Sequence, residues 1–258
     1  MGTGPTAIVT GGATSIGAEI VRSFAAAGYR VAIADIARAE GEALAGSIGP
    51  QACFLATDLA VDDDIARCVS KTVATFGKIS VIIHAACSYV DGGVAASRSD
   101  WRRSLDVNLV GAALLVREAR PHLLTPGASI VFIGSISAKI GQPGRWLYPA
   151  GKAALLQLAR SMALDFAPSG IRVNSLSPGK TWSAPLQRKH ENNRPRADAI
   201  EGEFHALGRL GDAIEIARAA LFLCSDGASF ITGTDLAVDG GYSAMGPERM
   251  QVQNPRAS

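Results

Sequence analysis

Tyr148 and Lys152 stand four residues apart, with Pro149 between them, in the stretch SISAKIGQPGRWLYPAGK that opens at Ser135. Pro149 suits the first turn of a helix, and a spacing of four puts both side chains on one helical face. An ammonium then lies beside a phenol. A phenol of ordinary pKa ~10 is a poor acid or base near neutrality, but a neighbouring cation favours its phenolate and brings it toward working range. Ser135, thirteen residues earlier, is placed to hold a substrate oxygen against that phenol. The chemistry this predicts is a proton relay for a carbonyl becoming an alcohol, or the reverse.

The elements that would position these residues are legible along the chain. Ala7 to Thr10 is a short apolar run, followed by the turn Gly11-Gly12-Ala13-Thr14-Ser15-Ile16-Gly17 and the helical pattern AEIVRSFAAAG. Strand, glycine-rich turn and helix in that order open a dinucleotide-binding unit, because small residues let backbone N–H groups approach a pyrophosphate. A second strand, Arg30 to Ala34, ends at Asp35, whose carboxylate suits the hydroxyls of an adenosine ribose and repels a 2′-phosphate. This predicts NAD rather than NADP, although Arg38 nearby would favour the phosphorylated form.

A third strand, Gln51 to Thr57, stops at Asp58-Leu59, where Asp58 either contacts the adenine amino group or caps the helix that begins near Asp62 to Asp64. Ser80 to Ile83 is a fourth, fully apolar strand, as in a parallel sheet covered on both faces. It runs into His84-Ala85-Ala86-Cys87. Apolar positions recur at helical spacing from Trp101 to Arg120, and Asn108 inside that helix is locally unfavourable, which suggests a structural or catalytic reason for it. The fifth strand, Ser129 to Ile133, delivers Ser135 to its carboxyl end, the edge where open α/β sheets bind ligands.

The helix carrying Tyr148 and Lys152 should run to about Phe166 and end at Pro168-Ser169-Gly170. Strand six spans Ile171 to Leu176 and leads to Pro178-Gly179. The segment from Lys180 to His205 is rich in charge and poor in sheet formers, and is read with its flank, 180–207, as a mobile substrate lid. A helix from Ala213 to Cys224 and a strand from Asp235 to Val238 close the fold. The whole predicts a single-domain α/β Rossmann-type doubly wound fold, with about seven parallel strands and helices on both faces.

Composition narrows the function classes. A formal net charge of +2 over 258 residues, without a long basic block, argues against nucleic acid as the main partner. The opening MGTGPTAIVTGG has no charged flank before an apolar run, and no window reaches ~18 uninterrupted apolar residues, so neither a signal peptide nor a membrane span is predicted. Cys53, Cys68, Cys87 and Cys224 lack metal-ligand spacing, which fits reduced thiols in a cytoplasmic protein and no metal site.

Taken together, the ordered motifs resemble those of the short-chain dehydrogenase/reductase family, up to about Tyr242. Thr10 to Gly17 resembles the family's Thr-Gly-x-x-x-Gly-Ile-Gly cofactor turn, which implies cofactor contacts from Gly11, Thr14, Ser15, Ile16 and Gly17. Asp58-Leu59 is similar to its adenine-contacting pair, and Ala85-Ala86 lies in its segment after strand four. Pro178-Gly179, with Thr181 and Ser183, resembles its nicotinamide contacts. Ser135, Tyr148 and Lys152 match its catalytic trio and Asn108 its helix asparagine.

The resemblance implies hydride transfer at C4 of the nicotinamide, with Tyr148 exchanging the hydroxyl proton and Ser135 orienting the substrate oxygen. Lys152 would act on Tyr148 and bind the nicotinamide ribose, and Asn108 would hold a water in the proton path. It also implies a homotetramer joined through the helix Ala150 to Phe166 and the ending Ser229 to Tyr242. Ser15 departs from the pattern, standing where the family usually has glycine, which is tolerable if the backbone there does not need positive φ. His84-Ala85-Ala86-Cys87 replaces Asn-Asn-Ala-Gly and loses amides that brace strand four.

The expectation is an NAD-dependent dehydrogenase for a polar secondary alcohol such as a sugar, polyol or hydroxy acid. Arg188, Lys189, His190, Arg194 and Arg196 in the lid would suit a hydroxylated or anionic substrate. Reduction of a 3-oxoacyl thioester with NADPH is the alternative that Asp35 opposes, and a non-catalytic dinucleotide sensor is opposed by the complete set of proton-handling residues. In the tail, 243–258, the stretch from Ala244 to Met250 is expected to pack against the lid or a neighbouring subunit.

Overall fold

Seven strands alternate with helices and pair in parallel throughout. They are β1 (Thr6–Thr10), β2 (Arg30–Asp35), β3 (Ala52–Ala56), β4 (Val81–His84), β5 (Ser129–Ile133), β6 (Arg172–Pro178) and β7 (Asp235–Val238), in the spatial order β3-β2-β1-β4-β5-β6-β7. The computed structural model describes residues 4–246, so the expectation for Ala244 to Met250 lies largely outside the described residues. The fold is the expected doubly wound Rossmann type.

The strands read as continuous apolar runs because both faces of the sheet are buried, and the period of two sends alternate side chains to different cores. Val31 and Ile33 of β2, Ile83 of β4 and Val131 of β5 pack with Phe24 of α1 (Ser15–Ala26) and Leu223 of α9 (Ala213–Cys224). Ala32, Ile82, Ile130 and Phe132 point the other way. They meet Ile65 of α3 (Asp62–Phe76), Leu115 of α5 (Gly111–Ala119) and Leu155 of α6 (Leu147–Phe166). Each such fully buried large side chain contributes about 1.5–3 kcal/mol, so the two cores fix the sheet and with it the positions of the loops at its carboxyl edge.

The chain winds outward from β1 in one direction to β3 and in the other from β4 to β7. Neighbouring connections therefore part at the carboxyl ends of β1 and β4, where a crevice opens. β4 begins and ends one residue later than its apolar run suggests and takes in His84, which pairs with Thr10 of β1. β6 continues to Pro178, so the Pro178-Gly179 turn starts directly at the sheet edge.

The helical pattern from Trp101 to Arg120 is not one regular helix. α4 (Arg98–Leu105) and α5 are joined by a wider π-helical turn over Asp106–Val110, in which the Gly111 N–H donates to the Asp106 carbonyl. Asn108 lies in that turn. A π turn relieves the local conflict that an Asn creates in a regular helix, and such turns are frequent at functional sites. Apolar spacing alone does not reveal it, because one inserted residue shifts the periodicity by little over a short run.

Lys180 to His205 folds as two short helices, α7 (Ala184–Lys189) and α8 (Arg194–Glu201). The base of this segment is pinned. The Trp182 N–H donates to the Gly211 carbonyl at 2.8 Å, and the Gly211 N–H to the Lys180 carbonyl at 3.0 Å. Among the described residues no helix is long and apolar enough to cross a membrane.

Candidate active site

The loops at the carboxyl edge enclose a cavity of about 940 Å³, lined by Gly11, Ser15, Asp35, Ser135, Tyr148, Lys152 and Ser183. Thr14, Ile16, Gly17, Asp58, Leu59, Ala85, Ala86, Pro178, Gly179 and Thr181 line it as well. All the expected site residues but one therefore converge on one cavity. Asn108 stands behind its wall, fully buried.

The turn after β1 is built for close approach. Gly11 has φ +64°, and a Cβ there would sit 2.6 Å from the Ala86 backbone; one on Gly17 would sit 1.9 Å from the Gly11 carbonyl oxygen. Ser15 corrects the sequence reading, because its φ is +48°. The position does need the left-handed backbone that its glycine relatives adopt freely, and serine carries the strain, typically about 1–2 kcal/mol. Its hydroxyl accepts from the Ala184 N–H at the start of α7, at 3.5 Å. α1 opens on this cavity with no acidic residue in its first turn and no side-chain cap. Its N–H groups and dipole thus suit a pyrophosphate, and together with the room between Asp35 and Tyr148 they fit a dinucleotide.

Asp35 is held firmly. One carboxylate oxygen accepts the Ala13 N–H at 2.9 Å and the other the Ala37 N–H at 3.0 Å. Arg38, the residue that would favour a phosphorylated ribose, lies on the exposed face of α2 (Arg38–Ile48), where it pairs with Glu42 at 3.0 Å. Asp58 does not cap α3. It accepts the Ala60 N–H at 2.9 Å and pairs with Arg103 at 3.1 Å, while Asp64 accepts the Asp58 N–H.

His84 restores the brace that the missing amides suggest is lost. Its Nδ1 lies 3.0 Å from the Thr10 hydroxyl, tying β4 to β1, and burial pushes its pKa down to about 3, so it is neutral.

Tyr148, Lys152 and Ser135 are 9%, 2% and 8% exposed. The Lys152 ammonium donates to the Ile133 carbonyl at 2.6 Å and stands 5.8 Å from the centre of the Tyr148 ring. That fixes a buried cation beside the phenol. Ser135 caps the short turn after β5, its Oγ accepting the Ser137 N–H at 3.1 Å. Asn108 accepts from the Ser88 N–H at 2.8 Å and donates to the Ser88 carbonyl at 3.0 Å, locking the π turn to the loop after β4.

Several residues the sequence reading missed complete the site. α6 has no cap of its own; Asp91, in the loop after β4, supplies one by accepting the Trp146 and Tyr148 N–H groups, each at 3.0 Å. Burial alone would raise the Asp91 carboxyl, but the N–H groups of Tyr148, Trp146 and Gly93 outweigh it and hold it below its ordinary value. Tyr89 stacks on Tyr148 with ring centres 5.5 Å apart, and the Arg145 guanidinium lies 4.8 Å from the same ring. The available signal for these three was their place in loops that follow strand ends.

Of the basic lid residues, Arg188 and Lys189 line the cavity, whereas His190, Arg194 and Arg196 do not. Glu201, 3% exposed, takes Lys180 on one oxygen and Lys189 and His190 on the other, at 2.5 and 3.0 Å for the latter pair. Arg194 binds Asp198 at 2.8 Å and Asp212 at 2.5 Å, and Arg196 stands 3.8 Å from Glu191. His205 accepts the Lys180 N–H through Nε2 at 3.1 Å and donates from Nδ1 to the Glu201 carbonyl at 3.2 Å. Only the neutral ring can do both, and burial favours that form.

Fold and site define an oxidoreductase that works with a nicotinamide dinucleotide. The family model described as enoyl-(acyl carrier protein) reductase matches residues 11–243. A 2,5-dichloro-2,5-cyclohexadiene-1,4-diol dehydrogenase of Sphingobium indicum is 36% identical, over 94% of this chain and 98% of its own. An L-fucose dehydrogenase of Bos taurus is 37% identical, over 92% and 89%. A solved short-chain dehydrogenase/reductase from Serratia marcescens superposes with a TM-score of 0.85 at 30% identity, covering 93% of this chain and 98% of that one. The chain belongs to the short-chain dehydrogenase/reductase family, as an enzyme acting on CH–OH groups.

Proposed function

We propose that this protein is an NAD-dependent dehydrogenase that interconverts a polar secondary alcohol and its ketone. The observation that carries the reading is the convergence of Ser135, Tyr148 and Lys152 on one cavity that Asp35 also lines. The relatives named above act on a cyclic diol and a sugar, which supports a hydroxylated substrate.

When bound, NAD supplies a hydride acceptor in oxidation and, once reduced, a hydride donor in the reverse direction. Gly11, Thr14, Ser15, Ile16 and Gly17 would hold its phosphates, Asp35 its adenosine ribose, and Asp58, Leu59, Ala85 and Ala86 its adenine side. Pro178, Gly179, Thr181 and Ser183 would border the nicotinamide. In oxidation the Tyr148 phenolate takes the hydroxyl proton of the substrate as the carbinol C–H leaves as hydride, and the ketone results. The Ser135 hydroxyl donates to the substrate oxygen and steadies its developing charge. Lys152 keeps positive charge beside Tyr148, and Asn108 holds the loop over the site in register.

The preference for NAD rests on Asp35. A 2′-phosphate beside this carboxylate meets repulsion on the order of a few kcal/mol, and each ~1.4 kcal/mol is tenfold. The expected kcat/KM ratio favours NAD over NADP at least about tenfold, and Asp35→Ser should narrow it; a wild-type enzyme that prefers NADP would overturn this assignment.

A homotetramer fits the apolar surface of the single chain. Leu164 on α6 is 78% exposed and Phe230, before β7, fully exposed, and burying such side chains against symmetry-related copies is their natural resolution. Sedimentation at micromolar concentration is expected to give four subunits, and a monomer would refute it.

A further inference from the structure

Two cations on the cavity wall have neither a carboxylate nor a carbonyl partner among the described residues. Lys180 and Lys189 share the single carboxylate of Glu201, and Arg103 pairs with Asp58. Lys152 is occupied by the Ile133 carbonyl. Arg145 and Arg188 remain, and both line the cavity. They differ in position. Arg188 is exposed on α7, at the mouth. Arg145 is half-buried, with its guanidinium 4.8 Å from the centre of the Tyr148 ring.

A ring face satisfies only part of a guanidinium, because the five N–H donors lie in its plane and point away from the π cloud. Arg145 and Tyr148 line the same cavity. Gln142, on the same wall, has a buried carboxamide oxygen with no protein partner. Tyr89, 60% exposed and stacked on Tyr148, adds a flat aromatic surface. The wall beside the reacting phenol thus combines one planar cation, one unpaired amide and one aromatic face.

We propose that Arg145 is a specificity-determining residue that binds a carboxylate on the substrate, so that the enzyme acts on a compact hydroxy acid or its oxo acid. The inference rests on the alcohol dehydrogenase reading above and names the substrate class for that site. The planar fork pairs with a carboxylate through two parallel hydrogen bonds, a geometry that neither a hydroxyl nor an ammonium reproduces. The Tyr89 face covers the carbon skeleton between the acid and the carbinol. Arg188 at the mouth draws anions toward the cleft without fixing their orientation. Guanidinium and phenol share one ring's surroundings, so the acid and the hydroxyl are separated by no more than about the breadth of a six-membered ring or a few methylenes.

The test separates binding from turnover. The complex of the full chain with NADH is titrated with cyclohexanecarboxylate and with cyclohexanecarboxamide, which have the same shape and no hydroxyl, and NADH fluorescence is followed. Charge-assisted pairing should make the acid bind about 10- to 100-fold more tightly. Arg145→Gln should bring the two within about threefold, and Arg145→Lys should keep part of the difference. NADH affinity and Tm serve as controls for folding. Equal binding of acid and amide by the wild type, an undiminished difference in Arg145→Gln, or a matching loss of NADH affinity in that variant would each overturn the inference.

Turnover of 4-hydroxycyclohexanecarboxylate against its carboxamide then reports on the underlying reading. If the acid binds through Arg145 and no alcohol or ketone of either charge is converted with NAD or NADP, the dehydrogenase assignment falls while the anion site stands.

Discussion

Replacing Tyr148 by Phe is expected to lower kcat by about 10²- to 10⁴-fold, the range that a positioned proton donor or acceptor supplies. The substitution removes one oxygen and leaves the ring, so the stacking on Tyr89 and the contact with Arg145 survive. NADH affinity should therefore change little. Lys152 would remain tied to the Ile133 carbonyl, which keeps its charge in place and separates the loss of the proton carrier from a loss of site geometry. Fluorescence titration with NADH and single-turnover formation of NADH measure the two properties independently. A variant that retains most of its turnover would show that the proton travels by another group.

The parts of this site that were legible in the sequence are those in which a residue's role is fixed by its own segment. Gly11 and Gly17 are dictated by the turn they make, Asp35 by its place at the end of an apolar strand, and Tyr148 with Lys152 by helical spacing. The parts that were not legible depend on a partner far along the chain. Asp91 looks like a loop aspartate until the N–H groups of Trp146 and Tyr148, more than fifty residues away, are placed against it. The lid shows the same limit from the opposite side. Its run of basic residues invites an anionic ligand, yet Glu201, Asp198 and Asp212 pair with Lys189, His190 and Arg194. Sequence registers the charge and not its pairing. Ser15 is a third kind of case, since the serine itself gives no sign that the fold demands φ +48° of it.

Glu201 is the residue on which the lid's internal order depends, and Glu201→Gln is expected to have the largest effect on its stability. Its carboxylate is 3% exposed and is shared by Lys180, Lys189 and His190. Burial alone would raise its pKa, but the hydrogen bonds from Lys180, Lys189 and His190 and the charge of Lys180 outweigh that and bring it to about 2. Removing one partner of such a group typically costs about 3–5 kcal/mol, because the remaining charges lose their anion without regaining full solvation.

The sign with pH follows from the depressed value. The contribution is complete above the ordinary carboxylate pKa of 4.5 and is lost as pH falls from there toward about 2. The wild-type lid should therefore loosen in that window, and the Gln variant should be loose already at neutral pH and insensitive to the same titration. Cleavage by trypsin after Arg188, Lys189 and Arg196 reads the lid directly, apart from the sheet core. The variant is expected to be cut at least about tenfold faster at pH 7, with a lower Tm and a raised KM as Lys180 and Lys189 turn into the cleft. Equal cleavage rates and equal Tm in the two proteins would show that the buried carboxylate does not hold the lid together.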